Sequence, residues 1–128
     1  MVFGAGAFGG WTAIELVRRG ASVTLIDAWG PGHSRASSGG ETRVIRATYG
    51  SHTIYTRMAA GALSLWRRHE DRTGRRFFRR TGALWMLPPD NHFARASANT
   101  LRSLDIPIEE LTQAEGRRRF PQIDLEGV

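Results

Sequence analysis

Met1-Val2-Phe3-Gly4-Ala5-Gly6-Ala7-Phe8-Gly9 opens the chain, and its reading decides the fold. An apolar stub runs into glycines, and behind them come Ala13, Ile14, Leu16 and Val17, then Arg18, Arg19 and Gly20. The pattern predicts a strand stub, a tight turn and a helix of about three turns stopped by glycine. Val23-Thr24-Leu25-Ile26 follows as a short apolar strand closed by Asp27. Strand, helix and strand in that order make one unit of a parallel sheet, so the fold class is α/β.

Each glycine of Gly4-x-Gly6-x-x-Gly9 has a mechanical reason if a dinucleotide binds here. The first makes the tight turn, the second lets a pyrophosphate approach the backbone, and the third lets the helix pack closely on the strand. The helix start then turns free N–H groups and its positive dipole end toward phosphate, worth ~0.3–2 kcal/mol per anionic charge. Asp27 closes the second strand near the roughly 20-residue spacing at which a carboxylate accepts hydrogen bonds from ribose hydroxyls. An acid there disfavours a 2′-phosphate. The plain alternative is that these are turn glycines and a capping aspartate serving the fold alone; the full series of strand, glycines, helix, strand and acid favours the nucleotide. Only Met1 to Phe3 precede Gly4, whereas a strand has about five or six residues, so the first strand is expected to begin upstream.

Further along, glycines 30, 32, 39 and 40, with Pro31, Ser34, Ser37 and Ser38, make residues 28–42 a loop rather than a second crossover helix. A helical period runs from Ile54 through Met58, Ala62 and Leu65-Trp66 and fades at Gly74. Phe77-Phe78 and Ala83-Leu84-Trp85-Met86-Leu87 are expected strands, separated by Thr81-Gly82 and ended by Pro88-Pro89. Helices are expected over 90–103 and 112–119, the second opened by the capping-box pair Thr112 and Glu115. The expected organisation is a first domain over 1–80 and the start of a second, with a mixed sheet, over 81–128.

Composition bounds the chemistry. All 18 basic residues are Arg, against 12 acidic ones, for a net charge of +6 with no Lys and no Cys. Within these residues that excludes a Schiff-base lysine, a Walker-type phosphate lysine, a thiolate nucleophile, a Cys-ligated metal and a disulfide framework. Arginine charge is permanent and suits planar recognition of carboxylate or phosphate. With 41% hydrophobic and 23% charged residues the chain is expected to be globular and cytoplasmic, without a run of the ~20 apolar residues that spans a bilayer. His33, His52, His69 and His92 have no ligand spacing, and no metal site is expected. Trp11, Trp29, Trp66 and Trp85 are expected in the core or at domain contacts.

After Asp27, a nicotinamide-binding half would continue into another crossover and a third strand. This chain instead enters the Gly/Ser loop and ends it with Gly39-Gly40-Glu41-Thr42-Arg43-Val44-Ile45-Arg46. With that loop it resembles the flavin-dependent amine and amino-acid oxidases of the D-amino-acid-oxidase-like (DAO) family, in particular the monomeric sarcosine oxidase and N-methyltryptophan oxidase branch. The likeness rests on the glycine fingerprint, Val23 to Ala28, Pro31, His33, Ser37, Gly40, Thr42-Arg43, Arg46, Tyr49-Gly50, Tyr55, Leu65-Trp66 and Thr81-Gly82, and extends thinly to Arg119-Phe120-Pro121. It spans nearly the whole chain and about the first third of such an enzyme.

The resemblance implies a Rossmann-like FAD-binding fold, present here as its first βαβ part, and an oxidoreductase acting on the C–N bond of a small amine or amino acid, N-methylated or not. It implies FAD, with the pyrophosphate at Gly4, Gly6, Ala7, Phe8 and Gly9, the adenosine ribose at Asp27 and Ala28, and His33 in the cofactor loop. Ser37, Ser38 and Thr42 match positions that contact the phosphate and flavin portion. Arg43 matches an arginine close to the flavin ring, and Arg46 the arginine that pairs with the substrate carboxylate. Independently of the family, Arg43 and Arg46 would share a face if their segment were helical. The branch carries histidines where this chain has Ser38 and Gly39, so the resemblance does not fix the substrate. The family's oxygen-activating Lys and flavin-tethering Cys belong to later parts of its fold. These 128 residues alone are expected to be inactive.

Two other readings stand beside this one. The first is the nucleotide-binding half of an NAD-dependent dehydrogenase. The second, of a different class, is a nucleic-acid-binding module built on the seven arginines from Arg67 to Arg80 with Phe77 and Phe78 among them. Glu70 and Asp71 interrupt that run, and no recognition motif accompanies it, so a solvated basic face is the simpler account and no nucleic-acid partner is expected.

Overall fold

A computed structural model describes residues 1–128, which divide by their contacts into two units, Met1–Val44 and Ile45–Val128. The first unit is a βαβ element. Strand β1 (Val2–Phe3), helix α1 (Ala7–Arg18) and strand β2 (Leu25–Ile26) follow in that order, and the strands pair in parallel with Val2 opposite Leu25 and Phe3 opposite Ile26. The ladder is extended by Val2 N–H donating to the Thr24 carbonyl at 2.8 Å and Gly4 N–H to the Ile26 carbonyl at 2.7 Å. Parallel strands need a crossover connection, and α1 supplies it. At its end Gly20 N–H donates to the Val17 carbonyl and Ala21 N–H to the Leu16 carbonyl, the reciprocal closure of a Schellman turn. The second strand is shorter than the expected 23–26 because only Val2 and Phe3 stand opposite to pair with it. For the same reason the sheet covers little of α1: Ala13 is buried, while Ile14, Leu16 and Val17 stay open. Residues 27–52 hold neither helix nor strand, a stretch that includes the loop expected over 28–42.

The second unit is helical. Helix α2 (Thr53–Thr73) ends at left-handed Gly74, helix α3 (His92–Ser103) starts under an Asn91 cap, and helix α4 (Gln113–Arg119) starts in the capping box of Thr112 and Glu115. In that box the Thr112 hydroxyl accepts from Glu115 N–H while the Glu115 carboxylate accepts from Thr112 N–H. Helices α2 and α3 pack together, with Thr56, Ser97, Thr100 and Leu101 buried. Against α4 the buried Leu125 fits so closely that a Cβ on Gly116 would lie 2.7 Å from its Cδ1. A cavity of about 880 Å³, bordered by Trp85, Met86, Phe93, Leu101, Ile106 and Leu111 among others, opens beside α3. No helix is long and apolar enough to cross a membrane.

Two expectations need correction, and one condition is not met. The stretches 77–78 and 83–87 are not strands, and the mixed sheet expected for 81–128 does not form; the one sheet has two strands. A strand exists only against a partner, and here the Phe77 and Phe78 N–H groups donate to Glu70 Oε1, at 2.6 and 2.7 Å, in place of a neighbouring strand. Residues 41–48 are irregular, so Arg43 and Arg46 share no helical face. Trp29 and Trp85 are not core residues: they are 60% and 42% exposed, and each lies under an arginine, Arg35 and Arg46 respectively.

Candidate functional site

In the first unit the glycine turn links β1 to α1. Gly4 has φ +94°, a left-handed conformation that a side chain disfavours. At Gly9 a Cβ would fall 1.8 Å from the Gly4 carbonyl oxygen, so the close packing of helix on turn forbids any side chain. Gly6 differs. Its φ of −71° suits any residue, and a Cβ there would meet one neighbour, Ser38 Oγ, at an ordinary 3.6 Å. The protein's own packing therefore has no demand for glycine at position 6. Gly6 caps α1 without a side chain, and Ala7 N–H, in the first turn, donates to Ser38 Oγ at 3.2 Å. Phe8, next in that turn, is exposed.

Asp27 ties this turn to the loop after β2. Its Oδ2 accepts from Ala5 N–H at 2.7 Å, and its Oδ1 from Trp29 N–H at 2.8 Å and Gly30 N–H at 2.9 Å. The side chain is 11% exposed, and His33 Nε2 lies 3.5 Å from Oδ1. The Ala5 and Trp29 N–H groups hold the Asp27 carboxyl below the usual carboxylate range; burial opposes them, and Gly30 N–H and His33 add to them. His33 is fixed in turn, its Nδ1 accepting from Arg35 N–H at 3.1 Å and its ring packing on Trp29 at 5.2 Å. Farther along, the Arg43 guanidinium donates to the carbonyls of Gly39 at 3.1 Å and Ser37 at 3.0 Å and braces the loop that carries Ser38. Ala28, Ser37 and Thr42 are exposed on the same loop.

In the second unit the arrangement centres on Arg46. Its guanidinium carbon lies over the Tyr49 ring, 5.3 Å from the centroid, and over the Trp85 ring at 5.7 Å. No carboxylate of the chain pairs with it, whereas Arg19, Arg95, Arg102 and Arg119 all have acidic partners. Tyr49 packs on Tyr55 of α2 at 5.9 Å and Trp85 on Phe93 of α3 at 5.7 Å. Buried Gly50 anchors the segment: its N–H donates to Ser97 Oγ at 3.0 Å, and its carbonyl accepts from Thr100 Oγ1 at 2.8 Å. Ser97 and Thr100 are one turn apart on α3, so both backbone groups of Gly50 are satisfied by a single helix face. Its φ of +60° and the Phe93 ring, 3.2 Å from where a Cβ would stand, favour glycine there.

The sequence profile of the DAO family, described as FAD dependent oxidoreductase, matches residues 1–128. The chain belongs to this family. Among curated proteins it is similar to the N-methyl-L-tryptophan oxidases of Yersinia pestis (strain Pestoides F) and Yersinia pseudotuberculosis serotype O:3 (strain YPIII), at 28% identity to each. The match covers 94% of this chain and 33% of each relative, so the chain spans about a third of the length of the relatives it matches.

The DAO family implies FAD, whose fit turns on the residues of the glycine turn, where Ala7 N–H already donates to Ser38 Oγ. Gly6 is the informative residue, because the gap left by its missing Cβ has no structural use within the chain and suits a pyrophosphate close to the backbone. Asp27 fits in part. A carboxylate offers about four lone-pair sites; backbone amides occupy three of them, which leaves room for about one ribose hydroxyl. Among the site residues expected from sequence, the first unit gathers Gly4 to Gly9, Asp27, His33 and Ser38 around one turn. Tyr49 and Trp85, the two rings at Arg46, are not among the site residues expected from sequence. Tyr49 is three residues from Arg46 in sequence, whereas Trp85 is brought to it only by the fold.

Proposed function

We propose that the complete protein is an FAD-dependent oxidoreductase that oxidises the C–N bond of a small amine or amino acid, N-methylated or not, that carries a carboxylate. Residues 1–80 belong to its cofactor domain, residues 81–128 open its substrate domain, and it works in the cytoplasm. The observation that carries this reading is Arg46, a guanidinium held over two aromatic rings with no acidic partner in the chain. An unpaired arginine of this kind presents a planar donor fork to a carboxylate, with charge-assisted bonds of roughly 1.5–3 kcal/mol each.

In this reading Gly4, Gly6, Ala7, Phe8 and Gly9 receive the pyrophosphate on the first turn of α1, Asp27 and Ala28 receive the ribose, and His33, Ser37, Ser38, Thr42 and Arg43 line the rest of the cofactor path. FAD, when bound, supplies the hydride acceptor. Arg46 orients the substrate by its carboxylate, so that the C–H beside nitrogen is presented in one geometry, and the chain's contribution is mainly positioning.

The test uses the complete protein. Flavin absorbance is expected to co-purify with it, and Arg46→Ala is expected to lower kcat/KM for carboxylate substrates by about 10-fold or more beyond its effect on uncharged amines. Absent flavin would remove the cofactor assignment, and equal losses on both substrates would remove the anchor.

A further inference from the structure

We propose that Tyr49 and Trp85 are positioning residues for Arg46: they hold its guanidinium through their ring faces and so keep its N–H fork available to a substrate carboxylate. The inference rests on the reading of Arg46 as the carboxylate anchor.

The choice of aromatic neighbours is what carries it. An arginine side chain is long and must be fixed before it can orient anything. Several other fixed arginines of this chain have their forks occupied, Arg119 by Glu109, Arg102 by Glu110, Arg95 by Asp90 and Arg43 by the Gly39 and Ser37 carbonyls, while Arg35 lies over the single ring of Trp29. An acid neutralises the charge and occupies the fork. A ring face attracts the same cation through its quadrupole and takes no N–H donor. Arg46 has two such faces and no acid.

Both rings are themselves fixed. Tyr49 is followed by Gly50, whose N–H and carbonyl are bonded to Ser97 and Thr100, and its ring meets Tyr55. Trp85 meets Phe93, one turn before Ser97 on the same helix. Two stretches far apart in sequence thus come to Arg46 from a common support on α3, the arrangement in which a functional group is preorganised rather than ordered by its ligand.

The experiment compares Trp85→Leu, Trp85→Phe, Tyr49→Leu and Tyr49→Phe with Arg46→Ala in the complete flavin-loaded protein. The substrates are N-methylglycine and its primary amide. Dissociation constants for benzoate and benzamide supply a readout free of turnover. For each Leu variant we expect KM for N-methylglycine to rise more than kcat falls, and the acid-to-amide ratio of kcat/KM to drop about 3- to 30-fold. Benzoate affinity should weaken in step and benzamide affinity less. The Phe variants keep a ring face and should recover most of the ratio, which simple loss of packing would not produce. Leu and Phe variants that behave alike, or equal losses on acid and amide, overturn the proposal. Arg46→Ala separates the two levels. If it abolishes the acid preference while the Leu variants retain theirs, positioning alone falls; if it leaves the preference intact, the anchor reading falls and positioning with it. Should one Leu variant fail to fold, the other ring supplies the same comparison.

Discussion

Gly6 and Gly9 belong to one motif and answer to different forces. At Gly9 the constraint is internal, since a methyl group would stand 1.8 Å from the Gly4 carbonyl oxygen. At Gly6 a methyl group would meet only Ser38 Oγ at 3.6 Å. Gly6→Ala is therefore expected to change stability by less than about 1 kcal/mol, the scale of an N-cap exchange, while weakening FAD binding. Gly9→Ala should cost several times more stability, as overpacking does. Thermal denaturation of the two complete proteins, set against their flavin content, checks both. Similar stability losses in both would mean that Gly6 is a structural glycine after all, and would remove the reason for assigning a pyrophosphate to it.

At the scale of elements, the end of α2 is organised by one carboxylate. Glu70 accepts from Phe77 and Phe78 N–H, folding the chain after Gly74 back along the helix. The Phe78 and Phe77 N–H groups hold the Glu70 carboxyl below the usual range; burial opposes them, and Arg76 and Arg67 add to them. A lowered folded-state value means the clip contributes in full above about pH 4.3, the ordinary Glu value, and is lost as pH falls through the lower folded value. Hydrogen-exchange protection of the Phe77 and Phe78 amides, corrected for intrinsic rates, should follow that course and be absent in Glu70→Ala; protection unchanged between pH 7 and pH 2 would contradict it. The helices were legible because their signals are local: the Thr112–Glu115 box, the apolar period up to Gly74, the turn at Gly20. The strands at 77–78 and 83–87 were misread because β propensity describes a residue's fit to a sheet, not whether a partner arrives. In the site, the glycine turn and Asp27 were legible from order and spacing. The three backbone amides that converge on Asp27, and the meeting of Trp85 with Arg46, depend on tertiary contacts and have no signature in composition or period.

Across the whole molecule little apolar surface is covered. Ala13, Leu101 and Leu125 are the buried hydrophobic residues, while Phe3, Phe8, Val44, Ile54, Met58 and many others stand open. Exposed apolar area on this scale is unusual for a protein acting alone. The 128 residues expressed by themselves are accordingly expected to bind an apolar dye strongly, to unfold without a sharp heat-absorption peak and to show no turnover. A single cooperative transition with little dye binding would show that this much chain is a self-sufficient fold. Gly50 has a different consequence, for how such a protein can be altered. With both backbone groups engaged, φ at +60° and the Phe93 ring 3.2 Å from where a Cβ would stand, any side chain at position 50 is strained and must displace the ring that supports Trp85. Variation, whether by natural drift or by an engineer seeking new substrates, is left to the Trp85 side of the pair, where an exposed ring can be exchanged without dismantling its support.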